Sequence, residues 1–221
     1  MKEETVIFVG GTGLIGSHVL KNLVTNNNKI YNLSRRTIKN YSENTENILF
    51  NFDDTSSDMN LPDCDHVFIS IGRGLRLWEL IYIRKQDRKD HFRIEHDYVF
   101  NIAKKAKELG ANNLSIVSAV GANSDSSNFY LATKGQIEES LKNLGYENIN
   151  ILRPGHIITN KRRGDISLAV WLIDLFFKLT NPFLINSLRK YRGITLKKVS
   201  EFMANEKMAG IKIFHYDDFI K

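Results

Sequence analysis

A glycine-rich loop between a strand pattern and a helix pattern is the feature that most constrains the fold of this chain. The segment reads TVIFVGGTGLIGSHVL, and its glycines fit two spacings, Gly11-x-Gly13-x-x-Gly16 and Gly10-x-x-Gly13-x-x-Gly16. One glycine allows a tight turn, another lets a phosphate approach the backbone, and the last lets the helix pack closely on the sheet. The alternative is an ordinary strand–helix turn without a ligand.

The position of the loop, after the first strand and before a helix, favours the nucleotide interpretation. Free N–H groups and the positive end of the helix dipole bind a pyrophosphate in this context. The residues expected to contact a dinucleotide here are Gly10, Thr12, Gly13, Leu14, Ile15 and Gly16.

Apolar runs and helical periods alternate along the rest of the chain. Strands are predicted at 5–9, 29–33, 47–52, 66–70, 113–118, 148–153 and 211–215, and helices at 14–26, 92–109, 130–144, about 167–180 and 196–206. This alternation predicts an α/β fold, a Rossmann-type doubly wound parallel sheet of six or seven strands with helices on both faces. We expect one domain over 1–221, with a small C-terminal helical region, about 156–206, that serves as a substrate lid.

The end of the second predicted strand indicates which dinucleotide is bound. An acidic residue usually holds a free ribose 2′-hydroxyl there, but this chain has Arg35 and Arg36 in the segment YNLSRRT. Guanidinium groups bind phosphate through paired, charge-assisted hydrogen bonds. The position therefore predicts NADP rather than NAD, with a solvated basic turn as the alternative. Asp53, just after the third strand, is equally compatible with an adenine contact and with a turn or helix-cap role.

Three polar residues further along the chain are predicted to lie at the same edge of the sheet as the glycine loop. Ser118 ends the fifth predicted strand at the sheet edge that carries the glycine loop, where open α/β sheets bind ligands. Tyr130 and Lys134 lie one helical turn apart at the start of the next helix, so both can face this edge. A nearby ammonium favours the phenolate, so Tyr130 fits proton transfer, Ser118 a contact with the substrate oxygen, and Lys134 the ribose hydroxyls. An isolated YxxxK would be an ordinary surface pair; after the glycine loop it predicts a catalytic set.

Seven segments, in this order, carry a resemblance to a known family: VGGTGLIG, NLSRR, SIGR, HDYVFNIAKKAKELG, VSAVGA, SSNFYLATKGQIE and ILRPG. Over most of residues 5–163 the chain resembles an atypical short-chain dehydrogenase/reductase, close to the Tat-interacting-protein-like oxidoreductases. The resemblance implies a doubly wound Rossmann sheet, NADPH as the cofactor, and Ser118, Tyr130 and Lys134 as the catalytic proton-transfer set.

The resemblance also implies cofactor contacts beyond the glycine loop. They come from the ends of the fourth and sixth predicted strands. The implied residues are Gly72 for the ribose with Ile71 as a further cofactor contact, Arg153, Pro154 and Gly155 for the border of the nicotinamide, and Ile157 or Ile158 for its carboxamide.

Two departures from the family pattern bear on function. The asparagine that the larger family carries on the helix before the fifth strand has no clear counterpart; Glu95 falls near that place and Asn101 lies further along, so its water relay is not implied. The C-terminal part is too short for the separate substrate lobe of nucleotide-sugar epimerases. The implied activity is hydride transfer between NADPH and a small carbonyl or alcohol substrate. The alternative is an NADP(H)-binding regulatory or scaffold protein with a protein partner and little or no turnover.

Composition and charge exclude several other classes. The 221 residues carry a formal net charge of +6, but the basic clusters are scattered and lack a nucleic-acid motif, so no nucleic-acid partner is expected. Asp174 and Lys178 interrupt the apolar segment near 166–188 and Pro182 ends it, which argues against stable membrane insertion. The six histidines and the single cysteine show no metal-ligand spacing.

The cysteine content also bears on location. One cysteine, Cys64, excludes an intrachain disulfide framework and suits a reducing compartment. The N-terminal segment MKEETVIFVGG shows no charged-then-apolar signal pattern. We expect a cytoplasmic protein whose oligomeric state the sequence leaves open.

Overall fold

The structure, a computed structural model, describes residues 4–26, 28–36, 42–53, 61–158, 168–206 and 208–221. In this part of the chain the strands are β1 Thr5–Val9, β2 Lys29–Ser34, β3 Thr45–Leu49, β4 His66–Ile69, β5 Asn113–Val117, β6 Asn148–Leu152, β7 Ile157–Ile158, β8 Ile194–Thr195 and β9 Gly210–Phe214. The α-helices are α1 Gly16–Val24, α2 Arg88–Phe92, α3 Tyr98–Glu108, α4 Phe129–Lys142, α5 Leu168–Thr180 and α6 Leu196–Asn205. A π-helical turn over Arg93–Asp97 joins α2 to α3, and 3₁₀ turns span Leu77–Leu80, Lys85–Asp87, Asn181–Phe183 and Asn186–Tyr191.

Seven strands form one sheet in the order β3-β2-β1-β4-β5-β6-β9, and every neighbouring pair is parallel. The chain runs outward from β1 to β3 and then returns to β4 on the other side of β1. The connections diverge at this switch point, so a crevice opens at the carboxyl ends of β1 and β4. The prediction of a Rossmann-type doubly wound sheet is confirmed. Strands β7 and β8 form a separate parallel pair.

Alternate residues of the central strand β1 point into two apolar layers. Ile7 and Val9 join the layer that α3 and α4 cover, whereas Val6 and Phe8 join the layer that α1 and α6 cover. All four side chains are fully buried. Because the sheet is covered on both faces, its inner strands appear in the sequence as continuous apolar runs rather than as an alternation.

The third strand begins and ends earlier than predicted. The pattern predicts 47–52, but β3 spans Thr45–Leu49. Its limits are set by β2, whose last residue, Ser34, pairs with Leu49. Because the ladder ends there, the chain leaves the sheet and Phe52 turns into the core.

The helical run before β5 begins earlier than predicted and contains a widened turn. The pattern predicts a helix over 92–109, whereas α2, the π-helical turn and α3 form a continuous run over 88–108. A π-helical turn of this kind frequently lies at a functional site. Here it carries Glu95, which is only 2% exposed.

Gly135, in the middle of α4, is predicted to resist replacement by alanine. Alanine usually stabilises a helix interior relative to glycine by about 1 kcal/mol. A Cβ at Gly135 would come 2.1 Å from the backbone nitrogen of Ser124, so Gly135→Ala must push α4 away from the loop that precedes it. We expect a loss of about 1–3 kcal/mol in the free energy of unfolding, measured by urea denaturation.

Gly74→Ala is the matched control for this experiment. A Cβ at Gly74 meets no atom within 4 Å, and the substitution should change stability by less than about 1 kcal/mol. Equal effects of the two substitutions would contradict the close approach of α4 to its neighbouring loop.

Candidate active site

The glycine loop holds the start of α1 against the end of β1. The Gly13 N–H donates to the Gly10 carbonyl at 2.8 Å, which closes the turn. A Cβ at Gly16 would come 2.1 Å from the same carbonyl oxygen, so only glycine lets α1 begin this close to the sheet. These contacts follow the spacing Gly10-x-x-Gly13-x-x-Gly16. The N-terminus of α1 lies at the crevice beside β1, as a pyrophosphate site requires.

A cavity of about 110 Å³ lies beside this loop. Its wall includes Gly10, Thr12 and Gly13 from the loop, Arg35 from the end of β2, and Phe52 and Ile94. Arg35 and Arg36 are both exposed, and only Arg35 belongs to this wall. The Arg36 carbonyl accepts a hydrogen bond from the Ser34 hydroxyl. The two arginines therefore differ, since Arg35 is the one that lines this cavity.

Asp53 is engaged within the protein. The Tyr98 hydroxyl donates to its carboxylate, and Arg93 lies 3.2 Å from the same oxygen. The Asp53 N–H donates to the Asn51 side chain at 3.1 Å, which corresponds to the turn role that the sequence allows. An adenine contact by Asp53 stays a prediction.

The three predicted catalytic residues meet at a larger cavity of about 940 Å³ at the carboxyl edge of the sheet. Its wall includes Ser118, Tyr130 and Lys134, and also Gly13, Leu14, Ile15, Ile71, Gly72, Pro154 and Ile157. The glycine loop and the serine–tyrosine–lysine set thus border one space. Open α/β sheets bind their ligands in such a crevice.

Asn128 caps α4 and ties it to a segment across the cavity. Its side-chain oxygen accepts from the Leu131 N–H at 3.1 Å, and its amide donates to the carbonyls of Leu80 and Ile81 at 2.8 and 3.2 Å. Loss of such a cap typically costs about 1 kcal/mol. The cap fixes the first turn of α4, which carries the tyrosine.

The Ser118 hydroxyl is bound to a carboxylate that sequence reasoning missed. Ser118 donates to Glu138, which is fully buried on the same face of α4 as the tyrosine and the lysine. Arg153 donates to both Glu138 oxygens, at 3.0 and 2.5 Å. The Arg153 side chain is committed to this carboxylate, and of the RPG segment Pro154 and Gly155 line the cavity.

Lys134 is held by two acceptors in the cavity wall. Its ammonium lies 2.7 Å from the Glu95 carboxylate and donates to the Val117 carbonyl at 3.4 Å. Burial works against the charge, but the attraction of Glu95 and its neighbours outweighs burial and raises the pKa of Lys134. The lysine is consequently an ammonium ion at neutral pH.

Burial raises the pKa of Tyr130 above its ordinary value. Lys134 lowers that pKa, as the sequence predicts, whereas Glu95 raises it. The expected stabilisation of a phenolate is therefore outweighed, and the tyrosine keeps its proton at neutral pH. A protonated tyrosine suits donation to a substrate oxygen.

The far wall of the cavity contains a histidine to which the sequence pattern gives no role. His156 contacts Asp174 of α5 at 2.6 Å, and its ring stacks on Phe177 with centroids 4.6 Å apart. Both His156 and Phe177 line the cavity. A signal was present, because Asp174 interrupts an apolar helix, and a partly buried acid there needs a polar partner.

The described residues contain no group of three or more side chains that could hold a metal ion. None of the described helices is long and apolar enough to cross a bilayer. Cys64 is buried, and burial raises its pKa to about 12, so it is a neutral thiol at physiological pH.

The parallel sheet, the glycine turn at its switch point and the cavity above it define a Rossmann-type nucleotide-binding protein. A family model described as NAD(P)H-binding matches residues 10–170. The chain belongs to this NAD(P)H-binding family.

Curated relatives cover most of the chain. FMP52 of Candida glabrata is 31% identical over 195 residues, which cover 87% of this chain and 79% of the relative. FMP52 of Eremothecium gossypii is 34% identical over 178 residues, which cover 78% of this chain and 76% of the relative. HTATIP2 of Rattus norvegicus is 26% identical over 180 residues, which cover 80% and 72%. The last relative confirms the resemblance to the Tat-interacting-protein-like proteins.

Solved structures share the fold at low sequence identity. MoeE5 in complex with UDP-glucuronic acid and NAD superposes with a TM-score of 0.67 and 16% identity, over 95% of this chain and 75% of that chain. The human epimerase family protein SDR39U1 with NADPH has a TM-score of 0.63 and 16% identity, over 96% of this chain and 74% of that chain.

The expectation of a cytoplasmic location is wrong. The fungal relatives are named as mitochondrial proteins. A single buried cysteine suits any compartment that keeps thiols reduced, so it does not distinguish the cytosol from an organelle.

Arg153→Met is expected to destabilise the protein because it leaves Glu138 buried without its cation. Removing one partner of a buried ion pair costs about 3–5 kcal/mol. The double variant Arg153→Met/Glu138→Gln also removes the negative charge and keeps an acceptor for Ser118, so it should recover much of the loss. Urea denaturation measures the free energy of unfolding of both variants and of the wild type. If Arg153→Met is as stable as the wild type, Glu138 tolerates the loss of its arginine.

Proposed function

We propose that the protein is an NADP-dependent oxidoreductase of the atypical short-chain dehydrogenase/reductase type, which transfers hydride between NADPH and a small carbonyl or alcohol substrate. The observation that carries the proposal is the single cavity bordered by the glycine loop and by Ser118, Tyr130 and Lys134. A dinucleotide on the loop and a substrate beside the tyrosine would be neighbours in this space.

The residues at the switch point fit a dinucleotide. The start of α1 offers backbone N–H donors to a pyrophosphate, and Gly16 permits the close packing that brings them to the sheet edge. Arg35 in the wall of the smaller cavity supports a contact with a 2′-phosphate, and hence NADP over NAD. When bound, NADPH supplies the hydride, and the protein supplies orientation and the proton.

Tyr130 is the proposed proton donor during reduction and the acceptor during oxidation. Its raised pKa keeps the proton available at neutral pH. The Lys134 ammonium stabilises the negative charge that develops on the tyrosine oxygen as the proton leaves. The Ser118 hydroxyl donates a hydrogen bond to Glu138. The Ser118 oxygen can therefore still accept a hydrogen bond from a hydroxyl of the substrate or of the tyrosine.

The described wall away from the glycine loop favours a substrate with an uncharged, apolar body. It includes Leu80, Ile81, Leu131, Ile173, Phe176 and Phe177. The charged residues of the wall, Glu95 and Lys134, are paired with each other, and His156 is bound to Asp174. We propose that the region 156–206, of which 159–167 lie outside the described residues, covers such a substrate as a lid within one domain.

The alternative is an NADP(H)-binding regulatory or scaffold protein with little or no turnover. It is favoured by the engagement of two site residues, since the Ser118 hydroxyl and the Lys134 ammonium are both bound to carboxylates. Exposed apolar side chains such as Ile81 and Phe183 suit a protein partner. Nucleotide binding without reduction of any carbonyl would support this alternative.

Arg35→Ala is expected to weaken NADPH binding by about 1.5–3 kcal/mol, the usual worth of a hydrogen bond to a charged group. NADH lacks the 2′-phosphate, so its affinity should stay the same. Fluorescence titration with each nucleotide at one fixed salt concentration measures both affinities.

Lys197→Ala on α6 is the control for net charge, because this side chain is exposed at the surface and does not line either cavity. It should leave both affinities unchanged. An unchanged ratio of NADPH to NADH affinity in Arg35→Ala would overturn the assignment of this arginine.

Tyr130→Phe should lower turnover at least about 100-fold and leave NADPH binding intact, because it removes the proton donor and keeps the ring. Turnover is measured in a screen of neutral apolar aldehydes and ketones alongside carboxylate-bearing analogues. Tyr146→Phe is the matched control, since Tyr146 is buried and donates to the Ala103 carbonyl away from the cavity.

Three outcomes of this experiment are decisive. Turnover that survives in Tyr130→Phe would exclude this tyrosine as the donor. A preference for the carboxylate-bearing analogues would contradict the apolar substrate. Failure of the wild-type protein to bind either nucleotide would overturn both the enzyme and the regulatory proposal.

A further inference from the structure

Two charged residues, Glu95 and Lys134, lie in a cavity wall that is otherwise mostly apolar. Only 2% and 8% of their side chains are exposed. Removing two charges from water is costly, and replacing such a pair by apolar residues is often neutral or stabilising. Stability alone therefore does not explain a buried ion pair at the centre of the site.

Glu95 is held from two sides. Its Oε1 accepts the Arg73 N–H at 2.7 Å, and its Oε2 lies 2.7 Å from the Lys134 Nζ. The π-helical turn brings the carboxylate inward between these two partners. Glu95 thus connects the segment after β4, which borders the glycine loop, with the helix that carries the tyrosine.

We propose that Glu95 is the positioning residue of the proton-transfer set: it holds the Lys134 ammonium one helical turn from Tyr130 and sets the pH range over which the tyrosine carries its proton. This inference rests on the proposed function, because it assigns a role within that reaction. Glu95 acts through the lysine. Its ion pair with Lys134 holds the ammonium charge at a fixed place near Tyr130.

Several titratable and charged groups surround the pair. They are Tyr130 and Glu138 on α4, Arg73 and Glu79 after β4, and His91 on α2. Glu138 is bound by Arg153, and the Arg73 guanidinium lies 3.0 Å from Glu79. Burial lowers the pKa of His91, so that ring is neutral at physiological pH. Glu95 is the acid in direct contact with the lysine.

The charge of Glu95 acts on both of its neighbours in the same direction. At Lys134 it opposes the effect of burial and raises the pKa, and at Tyr130 it adds to the effect of burial. Removing this charge should therefore let the pair lose its first proton at a lower pH. During reduction the tyrosine must carry its proton and the lysine its charge, so activity should be lost as the pH rises through that step.

The test is the pH profile of NADPH-dependent carbonyl reduction by Glu95→Gln, which removes the charge and keeps the shape. Its alkaline limb should move to lower pH by about one unit or more, the shift that a charge at this distance produces. Glu95→Asp keeps the charge and should keep the limb closer to that of the wild type. Glu139→Gln is the control for the loss of one acidic charge, because Glu139 pairs with Lys142 at the surface of α4 and does not line the cavity.

A potentiometric titration of the same proteins needs neither cofactor nor turnover. Glu95→Gln should release one proton at a lower pH than the wild type does. The shift should disappear when Tyr130→Phe and Lys134→Met are added, because those substitutions remove the two groups that lose the proton.

A pH limb and a titration that both match the wild type, alongside any loss of thermal stability, would make Glu95 a structural residue only. If the wild-type protein binds NADPH and reduces no carbonyl, the proposed function fails. The titration then still decides whether Glu95 controls the tyrosine–lysine pair, so the two failures are distinguishable.

Discussion

Two buried carboxylates, Glu95 in the cavity wall and Glu138 beside it, each require a positively charged partner, and the surrounding structure supplies one to each. A buried charge is tolerated only when a counter-ion and hydrogen-bond donors compensate it. Lys134 contacts the first carboxylate and Arg153 the second. Because these four residues come from the π-helical turn, from α4 and from the end of β6, their pairing holds the face of α4 that carries Tyr130 against two other elements.

The topology of the sheet determines where this polar cluster lies. All strands of the main sheet are parallel, so their carboxyl ends share one edge, and the switch between β1 and β4 opens a crevice there. The glycine turn contributes backbone donors on one side of the crevice, and α5 contributes Phe176 and Phe177 on the other. Polar groups consequently concentrate near the tyrosine, while the space further out is apolar.

Much of the fold follows from local patterns. The runs TVIFV and NINIL predict buried strands, and a stripe with Ile137 and Leu141 predicts the inward face of α4. Both strands and the helix form as expected, with these two side chains buried. The edge strand β3 deviates because its limits depend on where β2 ends, which its own residues do not encode. The predicted serine, tyrosine and lysine adjoin one cavity, since strand ends in a parallel sheet converge on one edge. Their catalytic roles stay predictions.

The amino-acid sequence by itself determined the strand–helix alternation, the glycine turn at the first strand and the presence of the three polar residues in the expected order. These features depend on residue types at short spacing along the chain. Short-range sterics and the periodicity of apolar residues are therefore enough to predict them. Only the tertiary structure decided that Glu138 binds Ser118, that Glu95 binds Lys134, and that burial and Glu95 together outweigh the effect of Lys134 on the pKa of Tyr130. Ion pairing and pKa depend on burial and on distances through space, which no local pattern in the sequence specifies.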